Sequence, residues 1–258
     1  MAMIVPSMSN LEICDALFAD RPKLIIRANM LIPKIAKQFK KEQRFPSWKW
    51  EEYTHQESRN RYLISFYAQT LAEAEHPKID YIAFMEEDHQ KIVIQWGCWL
   101  YRRKGNTESI ATRYVGYYSG HFFSRFKERI WDHVNLSYND LLCRYFSRNS
   151  CAIPLELNED IQRNFKEYGK LAQYAFRVPD GTCFIRHWNE GDETTIGQKD
   201  GNFVSVVLYY TFVNSGLMSE TQKQAINKEE ARYLRHYYQS LLDDAMTEAF
   251  FRRISSQD

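Results

Sequence analysis

The stretch YYSGHFFSRFKERI, residues 117–130, contains groups that can move a proton and hold a phosphate. With 3.6 residues per helical turn, one face carries His121, Ser124, Arg125, Glu128 and Arg129. The imidazole of His121 exchanges a proton near neutral pH, and the forked guanidinium of an arginine matches a phosphate. These groups together are typical of phosphodiester cleavage, in which one side chain transfers protons while cations neutralise the developing negative charge.

The same spacing also fits a purely structural helix. Glu128 can pair with Arg125 or Arg129, and His121 can cap the helix or bond locally. The opposite side of the helix is apolar and can pack on a sheet; it carries Phe122, Phe123, Phe126 and Ile130. Spacing alone leaves the catalytic and the structural interpretation open.

The pattern H-x-x-x-R-x-x-E-R at the start of a helix, followed by strands that end in a threonine-bearing hydrophobic strand, resembles the ribonuclease superfamily of barnase-, colicin- and RelE-like toxins. The helix residues that match are His121, Arg125, Glu128 and Arg129. In the late strand FVSVVLYYTFV, Thr211 takes the threonine position. The resemblance covers residues 119–213 and implies a helix or two packed on an antiparallel sheet.

This resemblance implies a metal-independent, cofactor-free ribonuclease that cleaves RNA by attack of the ribose 2′-hydroxyl. We expect His121 to act as general base or acid, and Arg125 and Arg129 to hold the scissile phosphate. Thr211 would help to position that phosphate. These four residues should then line one cleft between the helix and the strand at 203–213.

Two basic runs provide a second route to nucleic acid. Residues 21–49 carry nine Lys or Arg and one acidic residue, and residues 101–129 carry seven and two, although the whole chain has a net charge of +1. If residues 21–49, 101–104 and 113–129 share a surface, that surface is positive and attracts an anion. A non-catalytic nucleic-acid-binding module, with Tyr117 and Phe122 as stacking platforms, is therefore an alternative function.

Other potential sites are weaker. EEDH, residues 86–89, falls at a predicted turn, and His187 shares a strand face with Ile185, which favours a half-buried histidine. Ser205 and Asp180 form a hydrolytic triad only if a histidine joins them. The chain has no nucleophile elbow, P-loop, dinucleotide fingerprint, H-E-x-x-H motif or EF-hand loop.

The order of elements predicts an α+β fold with mainly antiparallel strands. Four strand-like segments, at 61–70, 78–86, 91–102 and 108–118, read as a meander. A hairpin is predicted around Pro179-Asp180-Gly181, and a second from ETTIGQ to residues 203–213 around Asp200-Gly201. Strands 91–102 and 203–213 should be central because both faces of each are apolar. Helices should start at Pro33, Ser119, Ser137, Asn158 and Ser219.

Composition is that of one globular domain spanning 1–258, with 44% hydrophobic and 15% aromatic residues. Within it, 1–118, 119–218 and 219–258 are recognisable parts. Five widely spaced cysteines without a C-x-x-C pair, and the lack of a signal-like or membrane-spanning segment, predict a cytoplasmic protein with reduced thiols. The high aromatic content leaves a third alternative open, a structural or assembly protein with an aromatic interface.

Overall fold

The computed structural model describes residues 2–88, 90–102, 109–165, 172–198 and 201–255. Its strands are β1 (Ser47–Thr54), β2 (Arg61–Ala68), β3 (Lys78–Glu87), β4 (Gln90–Arg102), β5 (Ser109–Tyr118), β6 (Ile153–Glu156), β7 (Tyr174–Val178), β8 (Gly181–Gly191) and β9 (Phe203–Asn214). Its helices are α1 (Asn10–Phe39), α2 (Gly120–Ile130), α3 (Tyr138–Arg148), α4 (Glu159–Asn164) and α5 (Glu220–Ser255).

The nine described strands form one sheet in the order β1-β2-β3-β4-β5-β9-β8-β7-β6. Only β5 and β9 pair in parallel, so the prediction of an α+β fold with mainly antiparallel strands is confirmed. The meander at residues 61–118 is confirmed as β2 to β5, and β4 and β9 flank the central strand β5 as predicted. The β5–β9 pairing joins the two strand-rich parts of the sequence into a single sheet.

Helices pack on both faces of the sheet, which places α1 and α2 on opposite sides. Phe122 of α2 is fully buried in one core with Val207 of β9. Leu17 and Leu24 of α1 lie in a different core with Val206, the neighbour of Val207. Because successive side chains of a strand point to opposite faces, these two cores lie on opposite sides of the sheet.

Helix α1 begins much earlier than Pro33, where the sequence predicts a regular helix to start. Ser9 caps it: the amide of Glu12 donates to the Ser9 hydroxyl at 3.2 Å, and the Ser9 amide donates to the Glu12 carboxylate at 2.8 Å. Pro22 and Pro33 both lie inside the helix, with exposed rings. Burial of one apolar face along the whole helix outweighs the backbone hydrogen bonds that the prolines remove.

Two segments differ from the strands expected from the sequence. Residues 47–54, which carry no strand prediction, form β1 and pair along their full length with β2. The segment ETTIGQ does not form the first strand of the second hairpin; residues 193–195 form a 3₁₀ turn, and β8 itself extends to Gly191 and pairs with β9. The hairpin at 179–181 is confirmed by the pairing of Val178 with Gly181.

Candidate functional site

Helix α2 forms where the sequence predicts it and directly follows β5. The Ser119 hydroxyl caps its first turn by accepting the Phe122 amide at 3.3 Å. Phe122, Phe123 and Phe126 are fully buried against the sheet. The predicted polar face, with His121 at its start, therefore points away from the core.

Three of the predicted site residues lie on α2 in different environments. The His121 side chain is exposed, and no described residue bonds to it. Arg125 pairs with Glu128 at 3.0 Å, which is the local pairing that the sequence allows. Arg129 reaches the sheet, where its guanidinium donates to the backbone carbonyl of Phe212. Arg129 thus fastens α2 to β9, while His121 and Arg125 stay near solvent.

The fourth predicted residue, Thr211, lies on the far side of the sheet from α2, so the predicted four-residue cleft is not formed. In the ladder with β8, Tyr209 opposes Ile185 and Thr211 opposes Phe184, which leaves Tyr210 as an extra residue. This β-bulge reverses the alternation, so Phe212 packs on α2 while Thr211 turns away from it. Regular alternation from Tyr209 would have placed Thr211 on the α2 side.

The predicted shared positive surface does not form among the described residues. Arg125, Lys127 and Arg129 lie on α2, across the sheet from α1, whereas Arg113 of the same run points to the α1 side and pairs with Asp15. Several cations of the first run are paired with acids: Lys23 with Glu57, Arg27 and Lys34 with Glu51, Lys40 with Glu75, and Lys49 with Glu42. Arg103 and Lys104 lie outside the described residues. The nucleic-acid interpretations therefore lose the combined electrostatic surface on which they were based.

A pocket of about 400 Å³ lies at the start of α2. The segment from Tyr117 to Gly120, which joins β5 to α2, forms part of its wall. The other lining residues are mainly apolar and come from the N-terminal segment, α1 and the sheet; they include Met8, Ile13, Met85, Ile92, Trp188 and Leu208. The volume is in the range of small-molecule sites.

Hydrogen bonds fix one polar side of this pocket. The Tyr117 hydroxyl donates to Asn10 at 2.8 Å, and the Asn10 amide donates to Glu190 at 2.7 Å. Glu190 also accepts the backbone amide of Leu11 at 3.3 Å, and so satisfies one of the free amides at the start of α1. Burial raises the pKa of Tyr117, so its hydroxyl stays protonated and remains a donor near neutral pH.

Lys91, one of the lining residues, forms no ion pair with a carboxylate among the described residues. It is half-buried, and its ammonium lies 3.5 Å from the ring centroid of Phe84 and 5.7 Å from that of Tyr138. Burial lowers the pKa of Lys91, and the opposing effects of the nearby Glu52 and Glu86 charges are smaller. Nothing in the sequence distinguishes Lys91 from other lysines.

The structure also brings together His187 and Ser205, which the sequence does not pair. The two side chains lie 2.6 Å apart, and the Ser205 hydroxyl is 3.2 Å from the Asn189 amide oxygen. Burial lowers the pKa of His187, which favours the neutral imidazole. Asp180 does not complete a triad, because it binds the Arg148 guanidinium at 2.9 Å. Ser205 itself is buried, so we interpret this pair as a structural contact between β8 and β9.

Among the residues that the structure describes, no group of three or more His, Cys, Asp or Glu side chains is arranged to hold a metal ion. His89 of the EEDH segment lies outside them. None of the described helices combines the length and the apolar character that a membrane span requires. Comparisons with protein-family models, with curated proteins and with solved structures find no match to this chain.

Proposed function

We propose that the protein binds a small anionic ligand with an apolar, ring-sized body in the pocket at the start of α2. The observation that carries this proposal is a cavity of about 400 Å³ whose lining includes the first residues of α2 and Lys91, a half-buried lysine that forms no ion pair with a carboxylate among the described residues. A desolvated charge without a counterion is unfavourable, and an anion in the pocket would relieve that cost.

Two further features of the wall fit the same ligand, although Glu87, an exposed carboxylate, also lines the pocket. The first backbone amides of α2 point out of its N-terminus, where Ser119 and Gly120 line the pocket, and a helix N-terminus favours negative charge. Trp188 and Leu208 offer apolar surface to a ring. The site therefore presents an apolar wall beside a positive end, which is the complement of an aromatic or alicyclic acid.

Fluorescence can test this placement because Trp188 lines the pocket. We expect 4-iodobenzoate, whose iodine quenches a tryptophan on contact, to quench the wild-type protein saturably. In Trp188→Phe the saturable part should disappear, since the reporter in the wall is gone. Trp50→Phe is the matched control: Trp50 is 36% exposed and Trp188 is 37% exposed, but Trp50 lies on β1 and does not line the pocket.

Saturable quenching that persists in Trp188→Phe would place the acid elsewhere on the molecule. The neutral analogue 4-iodobenzamide should quench less at equal concentration, because it lacks the charge that Lys91 and the helix N-terminus attract. Equal quenching by the acid and the amide would mean that only the apolar wall contributes.

Cleavage of RNA at α2 is a second candidate function, and one observation favours it. His121 and Arg125 lie one turn apart on the solvent-facing side of α2, so an RNA phosphate can reach both. His121 follows Gly120, which lines the pocket, so a nucleotide bound there would lie near an imidazole. The catalytic role is limited to α2, since Thr211 is on the other face of the sheet.

Digestion of structured and single-stranded RNA in the presence of a chelator tests this candidate. If His121 transfers protons, His121→Ala should slow cleavage by about 10²–10⁴-fold and leave RNA affinity nearly unchanged. Arg125→Ala should weaken both binding and cleavage, because it would contact substrate and transition state. Intact RNA after long incubation with the wild-type protein would end the proposal, as would equal cleavage rates for wild type and His121→Ala.

A further inference from the structure

The sheet opens between β3 and β4. Their ladder runs from Glu87 and Gln90 at the turn to Ala83 and Ile94, and no described pair continues it. Beyond that point β3 stays paired with β2, and β4 stays paired with β5 as far as Arg102. The facing backbone edges of β3 and β4 are therefore not hydrogen-bonded to each other beyond Ala83 and Ile94 in the described residues.

Asp80 lies at the edge of this opening and forms no ion pair with a described residue. It lies two residues from Ile82, which is part of the core beneath α2 and α3, so Asp80 faces the same side of the sheet. One carboxylate oxygen, Oδ2, is fully buried and has no hydrogen bond. The carboxylate is mostly desolvated.

An aromatic pair borders the same opening on the β4 side. Extending the β3–β4 register would bring Asp80 level with Gly97. The Tyr114 ring lies across Gly97, where an added Cβ would be 3.1 Å from the ring. Trp99 stacks on Tyr114, with centroids 4.7 Å apart and planes 13° apart. The absence of a side chain at Gly97 thus lets two stacked rings lie beside the strand that faces Asp80.

We propose that this opening binds a small organic cation, an amine or quaternary ammonium, between the Asp80 carboxylate and the Trp99–Tyr114 pair. A carboxylate supplies charge, and the faces of tryptophan and tyrosine attract a cation through their quadrupoles. Such a ligand provides the ion pair that Asp80 lacks among the described residues. The site is separate from the pocket at the start of α2 and takes the opposite charge.

The environments of the two groups agree with this arrangement. Burial raises the pKa of Asp80, against the weaker effect of Lys78. Burial is also the main cause that raises the pKa of Tyr114 to about 12, and the nearby Asp80 charge adds to it. The effect of Asp80 on Tyr114 agrees with the placement of the carboxylate and the phenol on the same face of the sheet.

Calorimetric titration with benzylammonium and with tetramethylammonium tests the site. We expect Asp80→Asn, which keeps the shape and removes the charge, to weaken binding by about tenfold or more. Trp99→Leu should lower the affinity for tetramethylammonium more than the affinity for benzylammonium, because binding of the quaternary ion depends on the ring faces. Asp132→Asn, at an exposed carboxylate after α2, should leave both affinities unchanged.

A stability measurement separates ligand binding from a merely structural carboxylate. The pKa of Asp80 is raised in the folded state, so its charge destabilises the fold above the folded pKa, and the penalty fades as pH falls toward the unfolded value. Asp80→Asn should therefore raise the melting temperature at neutral pH while it weakens cation binding by about tenfold or more. Equal cation affinity in Asp80→Asn and wild type, or no binding to wild type at about 50 mM of either ion, would overturn the proposal.

Discussion

Replacing Asp20 by alanine is expected to lower the free energy of unfolding by about 3–5 kcal/mol. Asp20 is fully buried on α1, and its Oδ2 accepts three hydrogen bonds: from Ser58 at 2.6 Å, Asn60 at 2.9 Å and Tyr62 at 2.6 Å. Alanine would leave three buried donors without an acceptor, and each unsatisfied donor costs about 1–3 kcal/mol.

Urea unfolding of wild type and Asp20→Ala measures this loss. Asp132→Ala is the control, because Asp132 is exposed and its removal should change stability by less than about 0.5 kcal/mol. The stability loss in Asp20→Asn should lie between those of Asp20→Ala and Asp132→Ala. The asparagine amide keeps one acceptor oxygen, but its NH₂ group would face the donors of the network. A loss below about 1 kcal/mol for Asp20→Ala would show that the network does not hold α1 to the β1–β2 turn.

Truncation of Phe126 is expected to have an effect of similar size, about 3–5 kcal/mol for Phe126→Ala. Phe126 is fully buried between helices and sheet, with ring centroids 5.0 Å from Tyr145 and 5.1 Å from Phe212. The cavity left by the ring should loosen the docking of α2, which holds one wall of the pocket. Phe126→Ala should therefore reduce both the melting temperature and the affinity for 4-iodobenzoate.

Ser124 gives the matched control on the same helix. Its side chain is exposed and, among the described residues, bonds only to the Gly120 carbonyl at 3.1 Å, so Ser124→Ala should change stability by less than about 0.5 kcal/mol. If Phe126→Ala were as mild as Ser124→Ala, α2 would not be anchored by its aromatic face.

Local patterns explain why α2 and α3 are predictable from the sequence. Ser119 and Ser137 each cap a helix by accepting the backbone amide three residues on, and the apolar spacing of the α2 phenylalanines gives the buried face directly. The meander follows from alternation and turn residues in the same way. These features depend on neighbours in the chain, and a single sequence contains them in full.

The candidate site depends on contacts between distant segments, which no local pattern records. Lys91 matters because it forms no ion pair with a carboxylate among the described residues, and Asp80 because the described β3–β4 ladder ends at Ala83 and Ile94. The sequence prediction puts Thr211 on the wrong face of the sheet, because strict alternation does not include the bulge at Tyr210. The basic character of residues 21–49 is offset by acids such as Glu51, which belong to the neighbouring sheet.

Calorimetric titration of 4-iodobenzoate into wild type and Lys91→Met tests the proposed pocket most directly. Methionine keeps the apolar stem, and loss of a half-buried ammonium whose pKa is lowered should not destabilise the fold. Lys41→Met, at an exposed lysine just beyond α1, is the control. The proposed function predicts about tenfold or greater loss of affinity in Lys91→Met and wild-type affinity in Lys41→Met. Equal affinity in all three proteins would contradict it.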